Sequence, residues 1–430
     1  MPYKEELLHY IWKFGLYSSD SLITTEGERI EVIDPGMHNR DAGPDFFNAK
    51  IRINDKVWAG DVEIHRSSEE WVRHGHHTDK AYNSVILHVA ERVDREIKNE
   101  KGQTVPQCKM GVPEKIRTNA DYLMYSNSTL PCGDELSCLP EMFIHSFLDR
   151  LCIERLERKT TDIYGFLDRF DQSWDEAFYV LLTRNFGFGL NSDAFERLAF
   201  SLPFKYIRRH GDSLFQVEAL LFGQAGLLAE QNLPEEADDY WLQLKNEYGF
   251  LKSKYSLEPL EEYLFKRMRI RPHSFPETRI AQLAALLQAS ERLFSVVLAY
   301  ERVDDWKLLF GATPSRYWHT HYSFRKQLAA EGEGRLGAAS VRTLLINTVA
   351  PMLFAYGKKM SAERYCDRAI ELLESLKPER NSIVFEFTEA GINPRNAFET
   401  QALIQLRRVY CEPRKCLFCR IGHRLLSCEK

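Results

Sequence analysis

No run in this 430-residue chain reaches the roughly 20 apolar residues that a membrane span needs. Its opening, MPYKEELLHYIWKFGLY, has acids and an amphipathic pattern where a signal peptide has a basic start and an unbroken apolar stretch. No membrane role and a cytoplasmic location are therefore expected. Excess positive charge is missing too: 57 Lys and Arg against 62 Asp and Glu give a formal net charge of -5. A nucleic-acid partner would have to be met by a local basic surface. No internal repeat of about 20 to 50 residues is visible, which counts against a solenoid. Nine cysteines without an export signal imply reduced thiols, and four of them fall in the last 20 residues.

What is there divides into three regions. Residues 1–115 mix helix and strand patterns. Leu7, Leu8, Ile11 and Trp12 recur at helical spacing, while ERIEVID, FNAKIRIND, KVWAGDVEIH and SVILHVA read as strands. Asn54 and Asp55 supply turn chemistry for a hairpin between the middle two, and SSEEWVRHGHHTDKAY reads as a polar segment with a short helix. Residues 116–410 are dominated by helical periodicity, and 411–430 form a Cys-rich tail. The expected fold is an α+β domain with a mixed sheet and flanking helices, then a mainly α-helical domain, then the tail.

The strand GDVEIH carries Asp61, Glu63 and His65 at every second position, so the three share one face. Trp58, Val62 and Ile64 form the opposite, apolar face. Val57 and Ala59 precede the acids on their own face, so the stripe turns from apolar to ionisable part way along. A three-residue hairpin turn, Asn54 to Lys56, sets Ile53 against Val57 and carries Asp45 opposite His65, on the face of Asp61 and Glu63. A two-residue turn slips the register and turns Asp45 away. Carboxylates brought together share a proton or a cation, and their oxygens suit magnesium or manganese. The alternative is a solvated strand face.

GPDF followed by GDVEIH resembles the PD-(D/E)xK nuclease core. The resemblance implies a restriction-endonuclease-like fold and a metal-dependent phosphodiesterase acting on nucleic acid, DNA by family analogy. Pro44 and Asp45 fill the first element. Glu63-Ile64-His65 fills the second with His in place of Lys, or Asp61-Val62-Glu63 does so with Glu there. Asp45 and Glu63 would hold the metal, Asp61 would add a ligand, His65 would orient the attacking water, and a leading helix with Glu5 and Glu6 could lend a further acid. Through GPDFFNA, WAGDVEIH, the stretch from Trp71 to Val89 and the cysteine tail, the chain also resembles an uncharacterised bacterial family, domain of unknown function 2851. That likeness names no activity. Two other readings stay open: a nuclease-like binding module for nucleic acid or protein that has lost its lysine, and a metal enzyme built on the His-rich segment.

In that segment His74, His76, His77 and Asp79 are candidate zinc ligands, but on one helix only residues three or four apart share a face. His76 or Asp79 could sit at the rim of the carboxylate cleft, touching phosphate or holding His65; Asp79 or Thr78 could equally cap a helix. Cys411, Cys416, Cys419 and Cys428, spaced C-x4-C-x2-C-x8-C, suit zinc or a 4Fe-4S cluster, with His423 as an alternative fourth ligand. Arg414, Lys415 and Arg420 among them could meet a phosphate backbone or balance thiolates. A second basic run, KRMRIRPHSFPETR, reads as a nucleic-acid loop or a salt-bridged turn.

Overall fold

The computed structural model describes residues 5–17, 22–39, 41–229, 238–290, 292–324 and 326–427. They form two compact units. The first comprises 1–144, 389–392 and 406–430, and the second 145–388 and 393–405. The cysteine tail, expected as a region of its own, thus belongs to the first unit, which also extends past the expected boundary at residue 115.

The first unit is built on helix α1 (Glu5–Lys13) and a mixed sheet of β1 (Ile30–Asp34), β2 (Met37–His38), β3 (Phe46–Ile53), β4 (Lys56–Ser67), β5 (Val85–Arg92) and β6 (Gln107–Lys109). The order across the sheet is β1-β3-β4-β5-β6, with β2 pairing to β3. The pairs on the β3 side run antiparallel, while β4-β5 and β5-β6 run parallel. Between β4 and β5 the chain forms helix α2 (Glu69–Arg73) and two 3-10 turns. The strands expected from alternation are present; two- and three-residue β2 and β6 are too short to show a period.

On one face, Leu7, Leu8, Ile11 and Trp12 of α1 pack with Phe46, Ala49, Ile51, Val62 and Ile64 in one buried cluster. Helix α3 (Glu114–Tyr125) and the tail contribute Ile116, Leu123, Leu417 and Leu426 to it. A smaller cluster of Trp71, Tyr82, Val85, Ile97 and Val105 contains the side chains that follow β4. The hairpin tip lies outside both. Val57 and Trp58 are exposed, against the expectation of a buried Trp58, because positions 54–59 all face solvent.

The hairpin settles the register in two steps. Ile53 pairs with Lys56, so the turn has two residues, Asn54 and Asp55, and Asn54 takes the left-handed conformation at φ 51°. That turn alone would point Asp45 to the core face. A β-bulge between Phe46 and Ala49 reverses it: Ala49 pairs with Gly60, but Phe46 pairs with Val62, and Asn48 sits at φ 55°. Burial changes phase at the same place, with 53, 51 and 49 buried and then 46. Asp45 therefore falls beside Glu63 on the far side of the sheet from α1's apolar residues.

Asp61 holds the bulge open. Its Oδ1 accepts the Asn48 N–H at 3.1 Å and its Oδ2 accepts the Ser84 hydroxyl at 2.5 Å. The carboxylate expected as an added metal ligand thus takes one backbone amide and one side-chain hydroxyl.

The second unit is mainly helical, as the periodicity suggests, with one two-stranded piece, His321–Ser323 with Lys326–Gln327. Its helices start where side chains cap them: Ser173 accepts the Glu176 N–H, Ser213 that of Gln216 and Asp238 that of Tyr240. The run Ala338–Lys359 is long and apolar enough to cross a membrane by length and composition, contrary to the reading of the sequence, but 67% of its most apolar window is buried. That is the burial of a core helix. Two residues of the second basic run are used internally, while Lys266, Arg269 and Arg271 are exposed. Arg267 bridges Glu262 and Glu277, and Arg279 stacks on Phe188 while bonding Gln282, Ser274 and Ser340.

Replacing Asp61 with Ala removes both acceptors from a partly exposed site. It should lower the unfolding free energy by about 1 kcal/mol, with Asp61→Asn losing less. Denaturant titration of the full chain checks this, and an unchanged midpoint in Asp61→Ala would mean that the bulge does not need the carboxylate.

Candidate functional site

Asp45 and Glu63 are locked together through their backbones. The Asp45 N–H donates to Glu63 Oε2 at 3.0 Å, and the Ile64 N–H donates to Asp45 Oδ2 at 2.9 Å. Helix α1 adds two groups from one face, since residues four apart are neighbours. His9 Nε2 stands 3.2 Å from Asp45 Oδ2, and Glu5 lies within the same field. Burial works against a charged His9, but the hydrogen bond and charge of Asp45, with Glu5, outweigh it and raise its pKa. Burial chiefly, then Asp45 and Glu70 against His9, raises that of Glu5. Glu6 is exposed.

The other Glu63 oxygen faces imidazoles. Glu63 Oε1 is 3.4 Å from His65 Nε2 and 3.2 Å from His76 Nε2. His74 Nδ1 is 3.3 Å from His65 Nε2, and ligand atoms of His65, His74 and His76 all lie within 4.8 Å of one another. These histidines do not meet on one helix. His74 ends α2, Gly75 reverses the chain at φ 79°, and His76 opens the next turn, so residues two apart converge. Stacking of His76 on Tyr82 at 3.8 Å and the edge of Trp71 fix its ring.

Burial governs the protonation of the whole group. It raises Glu63 to about 9, with the Asp45 charge adding to it. It lowers His65 to about 2, with the charges of His88, His76 and His74 adding, and lowers His74 and His76 as well. His65 is 2% exposed and its Nδ1 is 2.9 Å from His88 Nε2. It is thus buried at the foot of the site and held from behind by His88. His88, in turn, stands 3.3 Å from Gln107.

The remaining expected residues fall elsewhere. Asp79 is an exposed cap whose Oδ1 accepts the Ala81 N–H at 2.9 Å. Arg414 donates to the backbone carbonyls of Ser126 and Ser128, and Arg420 lies 4.7 Å over the Phe143 ring. Both expected substrate contacts hold the tail in place, and Lys415 is exposed. His423, the alternative fourth ligand, has its Nδ1 2.7 Å from the Tyr10 hydroxyl and its ring tilted against Phe14 at 4.5 Å. Cys428 lies outside the described residues. His9 and His88 were missed. The i, i+4 spacing from Glu5 could have pointed to His9, and alternation within SVILHVA to His88.

A family described as "Protein of unknown function (DUF2851)" matches residues 5–382. The chain belongs to this family. The match takes in every group of the carboxylate and imidazole site and ends before Cys411. No curated protein and no solved structure matches the chain.

Whether the DUF2851 site fits a metal can be judged from its donors. Glu5 Oε1 is buried without a hydrogen-bond partner, while His9 Nε2 and His76 Nε2 each face a single carboxylate oxygen, of Asp45 and Glu63, at 3.2 Å. One carboxylate oxygen among three neutral imidazoles suits zinc or ferrous iron better than magnesium, whose preference is for oxygen.

The shifts fix the pH response of the metal-free protein. Glu63 holds its proton when folded well above the unfolded carboxylate range, so its contribution to stability is present at low pH and is lost as pH rises through 4.5 toward 9. His65 and His88 resist protonation when folded, so stability is also lost as pH falls below about 6.5. Glu63→Gln should remove the alkaline limb and stabilise the chelator-treated protein by on the order of 2 kcal/mol at pH 8. Unfolding measured between pH 5 and 9 checks this; an equal alkaline loss in Glu63→Gln would contradict it.

Proposed function

We propose that this protein is a metal-dependent hydrolase that cleaves phosphodiester bonds in nucleic acid, with DNA the first substrate to try, working in the cytoplasm without a membrane. The observation that carries the reading is the interlock of Asp45 with Glu63, whose second oxygen faces His65 and His76. The order helix, strand, hairpin, helix, strand, with β4 parallel to β5, supports a restriction-endonuclease-like core. Pro44-Asp45 and Glu63-Ile64-His65 then fill the two motif elements. The alternative through Asp61 is disfavoured by its bonds to Asn48 and Ser84. Glu5 matches the acid that the leading helix can lend.

Asp45, Glu63, His65, His74 and His76 would hold a divalent ion, which when bound polarises a phosphoryl oxygen and acidifies a coordinated water. The chain's own part follows from exposure. Asp45 keeps 22% of its side chain open and His9 keeps 14%, so this edge is where substrate can approach. His9, favoured in its charged form by Asp45 and Glu5, can neutralise or protonate an oxygen that gains charge. His65 and His88 fix the direction of Glu63 from below.

The full chain should nick labelled DNA in zinc, ferrous iron or manganese and stop on chelation. Asp45→Asn and Glu63→Gln should each lower the rate at least about 100-fold while remaining folded. Binding without turnover in every ion would shift the reading to a nuclease-like binding module, and cleavage undiminished in both variants would remove these carboxylates from the chemistry.

A further inference from the structure

The tail cysteines meet a partner that their spacing does not show. Cys132, almost 280 residues before Cys411, lines one small cavity together with Cys411, Cys416 and Cys419, closed by Leu123 and Tyr410. All belong to the first unit. Cys411 and Cys419 are 9% and 7% exposed, and none of the four is in a disulfide.

The surrounding backbone is arranged for sulfur. The Cys419 N–H donates to the Cys416 carbonyl at 3.2 Å, closing the C-x2-C turn, and the amides of Ile421 and Gly422 at the start of the helix Arg420–Ser427 face the Cys419 sulfur. A Cβ on Gly422 would lie 2.1 Å from the Cys416 carbonyl oxygen, so this turn and helix touch at a glycine. Arg414 ties the tail to the carbonyls of Ser126 and Ser128, and Arg407 ties it to that of Thr129. Those straps hold the loop that carries Cys132.

We infer that Cys132, Cys411, Cys416 and Cys419 together ligate a metal centre of the four-thiolate class, a zinc ion or an iron–sulfur cluster, with Cys132 as the fourth ligand. Two buried thiols, Cys411 and Cys419, and two partly buried ones, Cys132 and Cys416, line one cavity, and among the described residues the Cys416 sulfur reaches only the Leu123 carbonyl at 3.5 Å. A centre here staples the returning C-terminal segment onto the loop before Gly133, and it is independent of the carboxylate and imidazole site.

The test uses the full chain prepared with and without air. Metal analysis should find zinc, or iron with absorbance at about 400 nm, and the two readouts separate the ion from the cluster. A zinc chelator or an iron chelator with oxidant should then expose Cys132, Cys411, Cys416 and Cys419 to alkylation together, as read by mass spectrometry, while exposed Cys138 reacts throughout. Cys132→Ser should retain metal at least about tenfold more weakly, whereas Cys428→Ser and His423→Ala should hold it as the parent does. Retention unchanged in Cys132→Ser, loss in Cys428→Ser instead, or a metal-free parent whose four thiols alkylate freely would each overturn the inference. Should Cys132→Ser fail to fold, the alkylation pattern of the parent decides.

Discussion

At 4% exposure the Glu63 carboxylate has lost most of its hydration, and Asp45 sets a second acid against it. A charge in that position is tolerable only with a proton or a cation close by. The features of this end of the sheet answer the same need: neutral imidazoles on one side of Glu63, the Asp45 amide on the other, and His9 drawn toward Asp45 from α1. With no ion bound, burial favours the protonated form of Glu63. A bound ion would take the place of that proton and give the unpaired Glu5 Oε1 a partner, which is why burial here points to chemistry.

The sheet was legible because period-2 alternation survives in FNAKIRI, KVWAGDVEIH and SVILHVA, and each of these became a strand. The pairing of Asp45 with Glu63 was legible only in outcome. The expected three-residue turn is absent, and a two-residue turn combined with a one-residue bulge at Asn48 restores the same face by another route. A bulge adds one residue to one strand without any marker in composition, so parity counted from the turn fails beyond it. Asp61 looked like a ligand for the same reason: spacing gives the face of a side chain, while its bonds to Asn48 and Ser84 depend on a bulge and a neighbouring strand.

Long-range partners were the least legible. Gly75 brings His74 and His76 together against helical counting, and His88 arrives from a strand twenty-three residues after His65. Cys132 joins the tail through a loop far earlier in the chain, whereas His423, local and plausible by spacing, turns to Tyr10 and Phe14. The helical unit was read well because capping and amphipathic period are local. Its basic run was not decided by sequence: Glu262 and Glu277 are near Arg267 in the chain, but the Phe188 ring and Ser340 that receive Arg279 come from distant segments.

The central claim is that Glu63 is built to share a cation with the imidazoles around it. A crystal of the full chain soaked in zinc or manganese, with anomalous diffraction collected at the edge of each metal, tests it most directly. The account predicts a peak about 2.1 Å from Glu63 Oε1 and from at least two of His65, His74 and His76. No peak there under saturating metal, with Glu63 instead hydrogen-bonded directly to His76 and the imidazoles to one another, would contradict it.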